Sequence, residues 1–477
     1  MAVIRRETGP EAHVPVLIVG AGACGLIAAL AANDAGAEVM VLERDPVPSG
    51  STSLSAGYIP ACGTRWQREV KAEDSVERML ADIQAKNHDE GDPVLGRAVC
   101  TSSGPALEWL ADAHGQDFVL ETKFRYPGHN AFRMHSHPEK TGAALVGSLA
   151  AAVERAGIDI VCEAAVRDLL ADADGRILGV VVERPDGSKD EIGCDALVLA
   201  CNGYGGNPEM LRTHIPEMAD ALYFGHTGNQ GDAVTWGTEL GAAISQMGSY
   251  QGHGSVAHPH GVLISWAIMM EGGVQVNGDG RRFSNEHEGY SEQSLKVLAQ
   301  PGQIAWNVYD RRLHDLGMGH EDYRRANEMG AIREVPDLTA LAALIGCPEA
   351  TLGETLRHAA DAAGGRASDP FGRDFTTAPA LDAPPYFAVR VTGALFHTQG
   401  GLAIDTTARV LTAAGAQLPN LFAGGGAAVG VSGSGVEGYL SGNGLLTAVT
   451  LGRIAGEQAA RVAKTLGREK LARERRI

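Results

Sequence analysis

The chain of 477 residues has few cysteines, and they are not paired in the sequence. The seven cysteines stand scattered at positions 24, 62, 100, 162, 194, 201 and 347, and none forms a C-x-x-C motif. A disulfide framework or a cysteine zinc site needs paired or closely spaced cysteines. We therefore expect a reduced protein without a metal site. The closely spaced histidines lack further partners and are interpreted as loop residues: His135, His137, His258 and His260.

An excess of positive charge is also lacking. Lysine and arginine total 40 against 58 aspartates and glutamates, which gives a net charge of −18. This balance disfavours nucleic acid and anionic membranes as partners. No uninterrupted apolar run reaches the roughly 18 residues that predict a transmembrane helix, and residues 1–12 lack the apolar core of a signal peptide. We therefore expect a cytoplasmic protein without a membrane span.

A glycine-rich turn follows the first apolar run. Residues 14–19 read as a strand, G-A-G-A-C-G follows at positions 20–25, and a helical stretch continues to Ala35. In this G-x-G-x-x-G pattern the first glycine permits a tight turn, the second admits a pyrophosphate, and the third lets helix pack on strand. A second strand, residues 38–42, ends at Glu43, which can bind ribose hydroxyls. The pattern predicts a dinucleotide site.

Two further segments favour FAD over NAD. The small polar loop of residues 48–57 could let a flavin and its phosphates lie against backbone. A second glycine-rich segment, residues 424–444, leads into an apolar helical stretch at residues 445–455. A helix N-terminus aimed at the flavin would stabilise negative charge on the reduced ring.

The order of the predicted strands and helices indicates an α/β protein with an insertion. Strands and helices alternate to about Gly231, including a hairpin at residues 166–170 and 177–183 and a buried strand at residues 195–200. Histidine, methionine and charged helices become more frequent afterwards. We expect a first domain in two parts, residues 1–232 and 377–477, and an inserted domain of residues 233–376.

Several motifs together carry a family resemblance over nearly the whole chain. GAGACG, LERD, GNQGDA, GRRFSNE, HTQGGLAID, LFAGGG, YLSGNG and GRIAGE occur in the order typical of the fumarate reductase/succinate dehydrogenase flavoproteins. That family also contains the 3-ketosteroid Δ1-dehydrogenases. The resemblance implies a Rossmann-like FAD-binding domain of the glutathione-reductase type with an inserted α+β cap. It also implies hydride exchange between a substrate carbon and the flavin.

The motifs and the resemblance together predict the residues that contact FAD. Succinate dehydrogenases attach FAD to a histidine in the loop that here carries Ser51, so we expect non-covalent FAD. The predicted contacts are Gly20, Gly22, Ala23, Cys24, Gly25, Glu43, Arg44, Gly50, Ser51, Thr52, Ser55, Ala56, Gly57, Val166, Ala200, Cys201, Gly203, Asp232, Gly425, Gly442, Leu445 and Leu446.

The departures from the fumarate reductases decide the subfamily. Tyr439 stands where those enzymes carry an arginine before the late glycines. Ser265 matches a threonine of theirs, but Trp266 and Met269 occupy the positions of a glutamate and an arginine. Neither tryptophan nor methionine can relay a proton. The sequence therefore predicts that the fumarate-reducing machinery is absent.

The resemblance to the ketosteroid dehydrogenases supplies a different chemistry. It implies that Tyr439, with a backbone N–H of Gly442 or Asn443, hydrogen-bonds a substrate ketone, and that Tyr290, four residues after R-F-S-N-E, removes the α-proton. Hydrogen-bond donors at the ketone oxygen stabilise the negative charge that develops there as the neighbouring C–H loses its proton. A phenol base has an ordinary pKa near 10 and needs help at neutral pH. Tyr126 is the predicted catalytic relay partner, with His287 and Arg133 as other candidates.

Two histidines point to a carboxylate on the substrate. His397 and His253 match histidines that fumarate reductases use on substrate carboxylates, and Ser265 is a further predicted substrate contact. We therefore expect desaturation of a small cyclic keto acid, such as 4-oxocyclohexanecarboxylate, with oxygen, a quinone or another carrier as electron acceptor. Three alternatives remain open: a 3-ketosteroid dehydrogenase, an alkene reductase working in the opposite direction, and a non-catalytic flavoprotein. The oligomeric state is not predicted.

Overall fold

The computed structural model describes residues 1–375, 378, 381 and 383–474. Its strands and helices are listed here in chain order. The strands are β1 Val3–Arg5, β2 His13–Val19, β3 Val39–Leu42, β4 Ile59–Pro60, β5 Val119–Leu120, β6 Met134–Ser136, β7 Asp159–Val161, β8 Ala165–Ala171, β9 Ile177–Glu183, β10 Lys189–Leu199, β11 Leu222–Tyr223, β12 Ile244–Ser245, β13 Tyr250–Ala257, β14 Val262–Leu263, β15 Val274–Val276, β16 Ala305–Asp310, β17 Ile332–Val335, β18 Tyr386–Thr398, β19 Gly401–Leu402, β20 Arg409–Leu411 and β21 Gln417–Ala423. The helices are α1 Ala23–Asp34, α2 Gly50–Ser53, α3 Arg65–Glu69, α4 Val76–Lys86, α5 Pro93–His114, α6 Gly142–Arg155, α7 Pro208–His214, α8 Asp232–Glu239, α9 Ala267–Met270, α10 Tyr290–Leu298, α11 Arg311–Gly317, α12 Glu321–Glu328, α13 Leu338–Ile345, α14 Glu349–Ala363 and α15 Asn443–Glu474.

A first sheet of nine strands forms the base of the molecule. Its order is β1-β8-β9-β10-β2-β3-β7, with β21 beside β10 and β20 beside β21. The strands β10, β2, β3 and β7 run parallel, whereas β8, β9 and β10 form antiparallel pairs. Apolar runs without alternation suit strands that are covered on both faces. The predicted strands and hairpin of this region are confirmed, and so is the α/β class.

Helix α1 packs against α15, and both helices contact the first sheet. Residues 23–32 of α1 are all buried, as expected for a helix that is apolar all round. Two glycines of α15 allow the close approach. A Cβ at Gly452 would lie 2.5 Å from the carbonyl oxygen of Cys24, and one at Gly456 only 2.1 Å from that of Ala28. The predicted helix at residues 445–455 is therefore the first part of a single helix that extends to Glu474.

The structure contains a second sheet of seven strands. Its order is β14-β13-β18-β16-β15, with β11 and β17 also paired to β18. Helix α10 packs against β13 and β18. Strands β11 and β18 belong to this sheet although they lie outside residues 233–376, while Trp236 of α8 packs in the core of the first sheet. The boundaries at 233 and 376 stay a prediction.

One histidine assignment is wrong. His135 lies in β6, not in a loop, and is fully buried. Its ring nitrogens contact the backbone carbonyl of Arg133 and the hydroxyl of Thr64, at 2.8 and 2.9 Å. An H-S-H sequence gives no sign of strand pairing, since both partner strands, β4 and β5, are short and lie elsewhere in the chain.

Candidate active site

The three glycines of the N-terminal turn are required for different reasons. Gly20 has a φ of +104°, which favours glycine, and a Cβ there would lie 2.6 Å from the carbonyl oxygen of Ala200. A Cβ at Gly25 would lie 1.8 Å from the carbonyl oxygen of Gly20. At Gly22 the nearest atom would be the hydroxyl oxygen of Thr52, at 3.6 Å. Gly22 thus leaves open backbone at the start of α1, where N–H groups can bind an anion.

Glu43 closes this turn from the end of β3. Its carboxylate accepts hydrogen bonds from the N–H of Ala21 at 2.7 Å and of Asp45 at 3.0 Å, and the residue is buried. Each carboxylate oxygen has room for further donors. The next residue, Arg44, is paired with Asp232 at 2.6 Å. Glu43 and Arg44 therefore stand beside the glycine turn with fixed orientations.

A cavity of about 490 Å³ extends from the glycine turn to the second sheet. Most of the residues predicted from the sequence to form the site line it. These are Gly20, Gly22, Ala23, Cys24, Glu43, Arg44, Gly50, Ser51, Thr52, Ser55, Ala56, Gly57, Tyr126, Ala200, Cys201, His253, Ser265, Tyr290, His397, Gly425, Tyr439, Gly442 and Leu445. Segments from both ends and the middle of the chain thus meet in one place.

Six predicted residues are not among those that line the cavity in the described structure: Gly25, Val166, Gly203, Asp232, Asn443 and Leu446. Gly25 packs in the turn, and Val166 and Leu446 are core residues. Gly203 lies against Thr398, where a Cβ would be 2.0 Å from the hydroxyl oxygen. Asn443 donates from its side chain to the hydroxyl of Ser432 at 2.9 Å. These residues support the lining rather than forming it.

Other lining residues were not singled out from the sequence. One group, Lys140, His320, Glu321, Asp322 and Arg325, brings the start of α12 against the segment before α6. Only tertiary packing brings these residues together, so no motif could have indicated them. Phe224 and Phe396, whose rings stack with centroids 4.8 Å apart, and Gln399 also line the cavity.

The two predicted catalytic tyrosines meet in this cavity. The ring centroids of Tyr290 and Tyr439 are 6.2 Å apart, and Tyr126 lies 6.1 Å from Tyr290. Tyr290 begins α10, and Tyr439 stands in the loop before α15. One phenol therefore comes with the second sheet and the other with the first.

A buried ion cluster fixes the segment before Tyr290. Glu286 is fully buried and pairs with Arg282 at 2.6 Å and Arg373 at 3.1 Å. Burial alone would raise the pKa of Glu286, but Arg373 and Arg282 hold that pKa at about 2. Glu286 also accepts from the N–H of Gln275 in β15 at 3.1 Å. The R-F-S-N-E motif thus anchors the start of α10 to the second sheet.

Both predicted substrate histidines line the cavity, and Nδ1 of each is engaged. The N–H of Ser255 donates to Nδ1 of His253 at 3.1 Å, and the Gln399 amide contacts Nδ1 of His397 at 3.0 Å. Accepting at Nδ1 leaves the proton on Nε2. Burial lowers the pKa of His253 to about 3 and that of His397 to about 4. Both rings are therefore neutral at pH 7.

Burial governs the protonation of the phenols. It raises the pKa of Tyr439 to about 12, even though the N–H groups of Gly444 and Gly442 partly stabilise the phenolate. Burial, with a neighbouring Tyr439, raises the pKa of Tyr290 well above its ordinary value. Both tyrosines are therefore neutral at pH 7 in the free site. A neutral phenol can donate a hydrogen bond, whereas a phenol that acts as a general base must first lose its proton.

The predicted relay partners differ in their positions. Tyr126 lines the cavity and interacts with Ser265, while burial raises the pKa of its phenol. Arg133 is not in the cavity; it is buried and pairs with Asp74 at 2.8 Å. His287 does not line the cavity in the described structure either. Tyr126 is the candidate that the fold brings to Tyr290.

The residues present fit FAD. Gly22 gives open backbone at a helix N-terminus for a pyrophosphate, and Glu43 lies beside it for the ribose. Ser51 accepts from Asn229 at 2.8 Å and from the N–H of His226 at 3.2 Å. Of the four cavity histidines, His226 is the one that contacts Ser51, and both its ring nitrogens are engaged, with Asp45 at 2.8 Å and with the N–H of Gly228 at 3.0 Å.

Comparison with known proteins agrees with this geometry. A family model described as an FAD binding domain matches residues 15–445. The chain belongs to this family of FAD-binding flavoproteins. A probable fumarate reductase, Ifc3, of Shewanella frigidimarina is 32% identical over 95% of this chain and 76% of its own length.

Two further proteins are similar, one in sequence and one in fold. The 4-oxocyclohexanecarboxylate 2-dehydrogenase of Sinomonas cyclohexanicum is 25% identical over 94% of this chain and 93% of its own length. The crystal structure of 3-ketosteroid-Δ4-(5α)-dehydrogenase from Rhodococcus jostii RHA1 superposes with a TM-score of 0.76 at 23% identity. It covers 96% of this chain and all of its own chain, and it shows a shared fold. The predicted family and FAD-binding fold are confirmed.

The chain is thus an FAD-dependent oxidoreductase that acts on CH–CH groups.

Within the described ranges, no helix, not even α15, combines the length and the apolar character needed to cross a membrane. The same residues contain no group of three or more histidine, cysteine, aspartate or glutamate side chains that could hold a metal ion.

Proposed function

We propose that the protein desaturates a small cyclic keto acid, such as 4-oxocyclohexanecarboxylate, between the carbons α and β to the ring ketone. The observation that carries this proposal is the convergence of Tyr290 and Tyr439 in one buried cavity, flanked by His253 and His397. A donor at the ketone oxygen and a base at the neighbouring carbon are the two groups that this reaction requires.

Tyr439 acts as the donor to the ketone. Its high pKa keeps the proton on the phenol oxygen, and the N–H groups of Gly444 and Gly442 donate to that oxygen, which makes its O–H a stronger donor. As the α-proton leaves, charge develops on the ketone oxygen and the hydrogen bond from Tyr439 strengthens. Tyr439 therefore lowers the free energy of the enolate-like transition state more than that of the bound ketone.

Tyr290 removes the α-proton. Bound FAD would accept the β-hydrogen as a hydride, so the substrate loses one proton and one hydride and gains one carbon–carbon double bond. Burial opposes ionisation of Tyr290, so its proton must pass to a neighbour: its phenol interacts with Ser441 and Tyr439, and the ring of Tyr126 lies 6.1 Å away between centroids. Tyr126 in turn interacts with Ser265, which lines the same cavity.

His397 and His253 bind the carboxylate. Each presents Nε2–H from a neutral ring, and a hydrogen bond to a carboxylate contributes roughly 1.5–3 kcal/mol. His397 lies 5.6 Å from Tyr439 between ring centroids, and His253 lies 4.7 Å from Tyr290. The 4-oxocyclohexanecarboxylate 2-dehydrogenase, at 25% identity, supports this substrate class.

Reduction of an enone or an unsaturated acid is the second candidate. The neutral state of Tyr290 favours it, because a protonated phenol is ready to donate a proton to the substrate carbon. The 32% identity to a probable fumarate reductase points in the same direction. The same residues serve both directions, by microscopic reversibility.

Anaerobic mixing of the FAD-loaded enzyme with a substrate panel tests these proposals. Bleaching of the flavin by 4-oxocyclohexanecarboxylate, faster than by cyclohexanone or a 3-ketosteroid, supports keto-acid desaturation. Bleaching by the steroid alone moves the assignment to ketosteroids. No bleaching by any ketone, with reoxidation of the dithionite-reduced enzyme by enones or fumarate, assigns the reductive direction. Reoxidation by oxygen or by a soluble quinone then identifies the class of electron acceptor.

A further inference from the structure

A buried histidine reaches the loop that carries Tyr439. His129 stands in the segment between β5 and β6, and its Nε2 lies 2.9 Å from the backbone carbonyl oxygen of Ser441. His129 is 6% exposed and Ser441 is 4% exposed. The nitrogen can only donate to this oxygen, since a carbonyl oxygen has no proton to give.

An arginine fixes the proton of His129 on that nitrogen. Nη1 of Arg133 lies 3.2 Å from Nδ1 of His129, and an arginine N–H can only donate. Nδ1 is therefore the acceptor, and Nε2 carries the proton that points to Ser441. Arg133 is held in turn by Asp74 at 2.8 and 2.9 Å and by Asp82 at 2.5 Å.

The carbonyl of Ser441 belongs to the same peptide group as the N–H of Gly442. That N–H interacts with the phenol oxygen of Tyr439 and lies in the cavity lining. A peptide that accepts a hydrogen bond at its oxygen becomes a stronger donor at its nitrogen, by about 10–30% per bond in condensed-phase estimates. Gly442 has a φ of +86°, a left-handed conformation that keeps the peptide turned this way.

We propose that Arg133 and His129 are positioning residues that strengthen the N–H of Gly442 as a donor to the phenol oxygen of Tyr439, whose O–H in turn donates to the substrate's ketone oxygen. They do not touch the substrate; they orient and polarise the Ser441–Gly442 peptide group so that Tyr439 stabilises an enolate more than a ketone. This inference rests on the proposed ketone activation and extends the donor site to residues outside the cavity.

Two variants of His129 separate this role from a packing role. His129→Asn keeps an acceptor for Arg133 but is too short to reach Ser441. His129→Gln places an amide N–H near the position of Nε2. His135→Asn is the matched control, because His135 is equally buried, also contacts the backbone at Arg133 and lies outside the cavity lining.

The readout is binding to the FAD-loaded enzyme, followed by perturbation of flavin absorbance. Pentafluorophenol, ionised at pH 7.5, serves as the enolate probe, and cyclohexanone serves as the neutral ketone. We expect His129→Asn to weaken phenolate binding about 3- to 10-fold, the effect of one hydrogen bond, with cyclohexanone affinity within 2-fold of wild type. His129→Gln should recover phenolate binding, and His135→Asn should not distinguish the two probes.

Equal losses for both probes in His129→Asn, or no loss for either, would overturn the positioning role. If the Asn variant fails to retain FAD, the Gln variant decides: phenolate affinity near the wild-type value supports the role, and a selective phenolate loss contradicts it. A wild-type enzyme that binds neither probe would overturn the proposed ketone activation itself, and this inference with it.

Discussion

The ring of His253 stacks on the ring of Tyr290, with centroids 4.7 Å apart and planes inclined by 24°. Burial lowers the pKa of His253 to about 3, so the stacked ring is neutral at pH 7 and gives Tyr290 no cationic neighbour. Desolvation meanwhile raises the pKa of Tyr290 well above its ordinary value. The assigned base is therefore protonated at rest, and this decides how the reaction should respond to pH.

The rate of flavin reduction by a ketone should rise with pH. A base must be deprotonated, and a pKa above the ordinary 10 leaves the phenolate fraction growing about tenfold per pH unit from pH 7 to 9. Anaerobic stopped-flow measurements of flavin bleaching over this range check the slope. A rate that is flat from pH 7 to 9 would show that Tyr290 is not the base.

Tyr290→Phe should lower the rate of flavin reduction by about 10²- to 10⁴-fold, the usual contribution of a general base. Ketone affinity should change little, because proton transfer does not contribute to ground-state binding. Tyr309→Phe, which removes another buried phenol that does not line the cavity, is the control. A rate within a few-fold of wild type would place the base elsewhere. His253, with a pKa of about 3, would be a poor replacement, and Tyr250 does not line the cavity in the described structure, which leaves Tyr126 as the next tyrosine to test.

Tyr439→Phe should lower turnover on a ketone by about 10²- to 10³-fold, the loss typical of one oxyanion donor. The flavin should stay bound, because Tyr439 is not one of the predicted FAD contacts and its phenol oxygen interacts with the N–H groups of Gly444 and Gly442. Steady-state kinetics and the absorbance of the purified variant give both readouts. Near-normal turnover, or a colourless protein, contradicts the donor role.

His397→Ala should raise KM for a keto acid much more than KM for the matching neutral ketone. The removed Nε2–H contributes roughly 1.5–3 kcal/mol to a charged partner, or about 10- to 150-fold in kcat/KM for the acid. The comparison of 4-oxocyclohexanecarboxylate with cyclohexanone measures the difference. Equal losses on the two substrates would assign His397 to the flavin or the fold and favour a ketosteroid.

Denaturation by heat or acid should release intact FAD from the yellow protein. Ser51 cannot form the covalent bond of a flavinyl histidine, and the ring nitrogens of the adjacent His226 are both engaged. Precipitation followed by absorbance and mass analysis of the supernatant checks this. Flavin that stays with the precipitated chain would mean covalent attachment.

The sequence predicted the FAD-binding fold because local patterns encode it. A strand, a glycine turn and a helix are neighbours in the chain, so their contacts follow from spacing. Asn443 shows the limit: its turn directs the side chain to Ser432 and its N–H to the carbonyl of Leu440, away from any substrate. Backbone direction inside a glycine-rich loop is not visible in residue types.

The sequence also did not indicate features that depend on packing between segments far apart in the chain. Gly452 lies inside the predicted helical stretch of residues 445–455 and Gly456 directly follows it, and nothing in the sequence indicated that both permit the contact of α15 with α1. His320, directly before α12, and Lys140, before α6, both line the cavity, and no sequence pattern connects these two positions. The contact of His129 with Ser441 joins residues 312 positions apart.

The pairing of β13 with β18 has a mechanical consequence. His253 and His397 stand on these adjacent antiparallel strands, and Tyr290 begins the helix that packs on them. Tyr439 lies outside the second sheet, in the loop before α15. A rotation of one layer against the other would carry the two histidines and Tyr290 as a unit while changing their distance to Tyr439. Under the proposed function, binding of the carboxylate would then move with the second sheet, whereas activation of the ketone would require Tyr290 and Tyr439 to stay together.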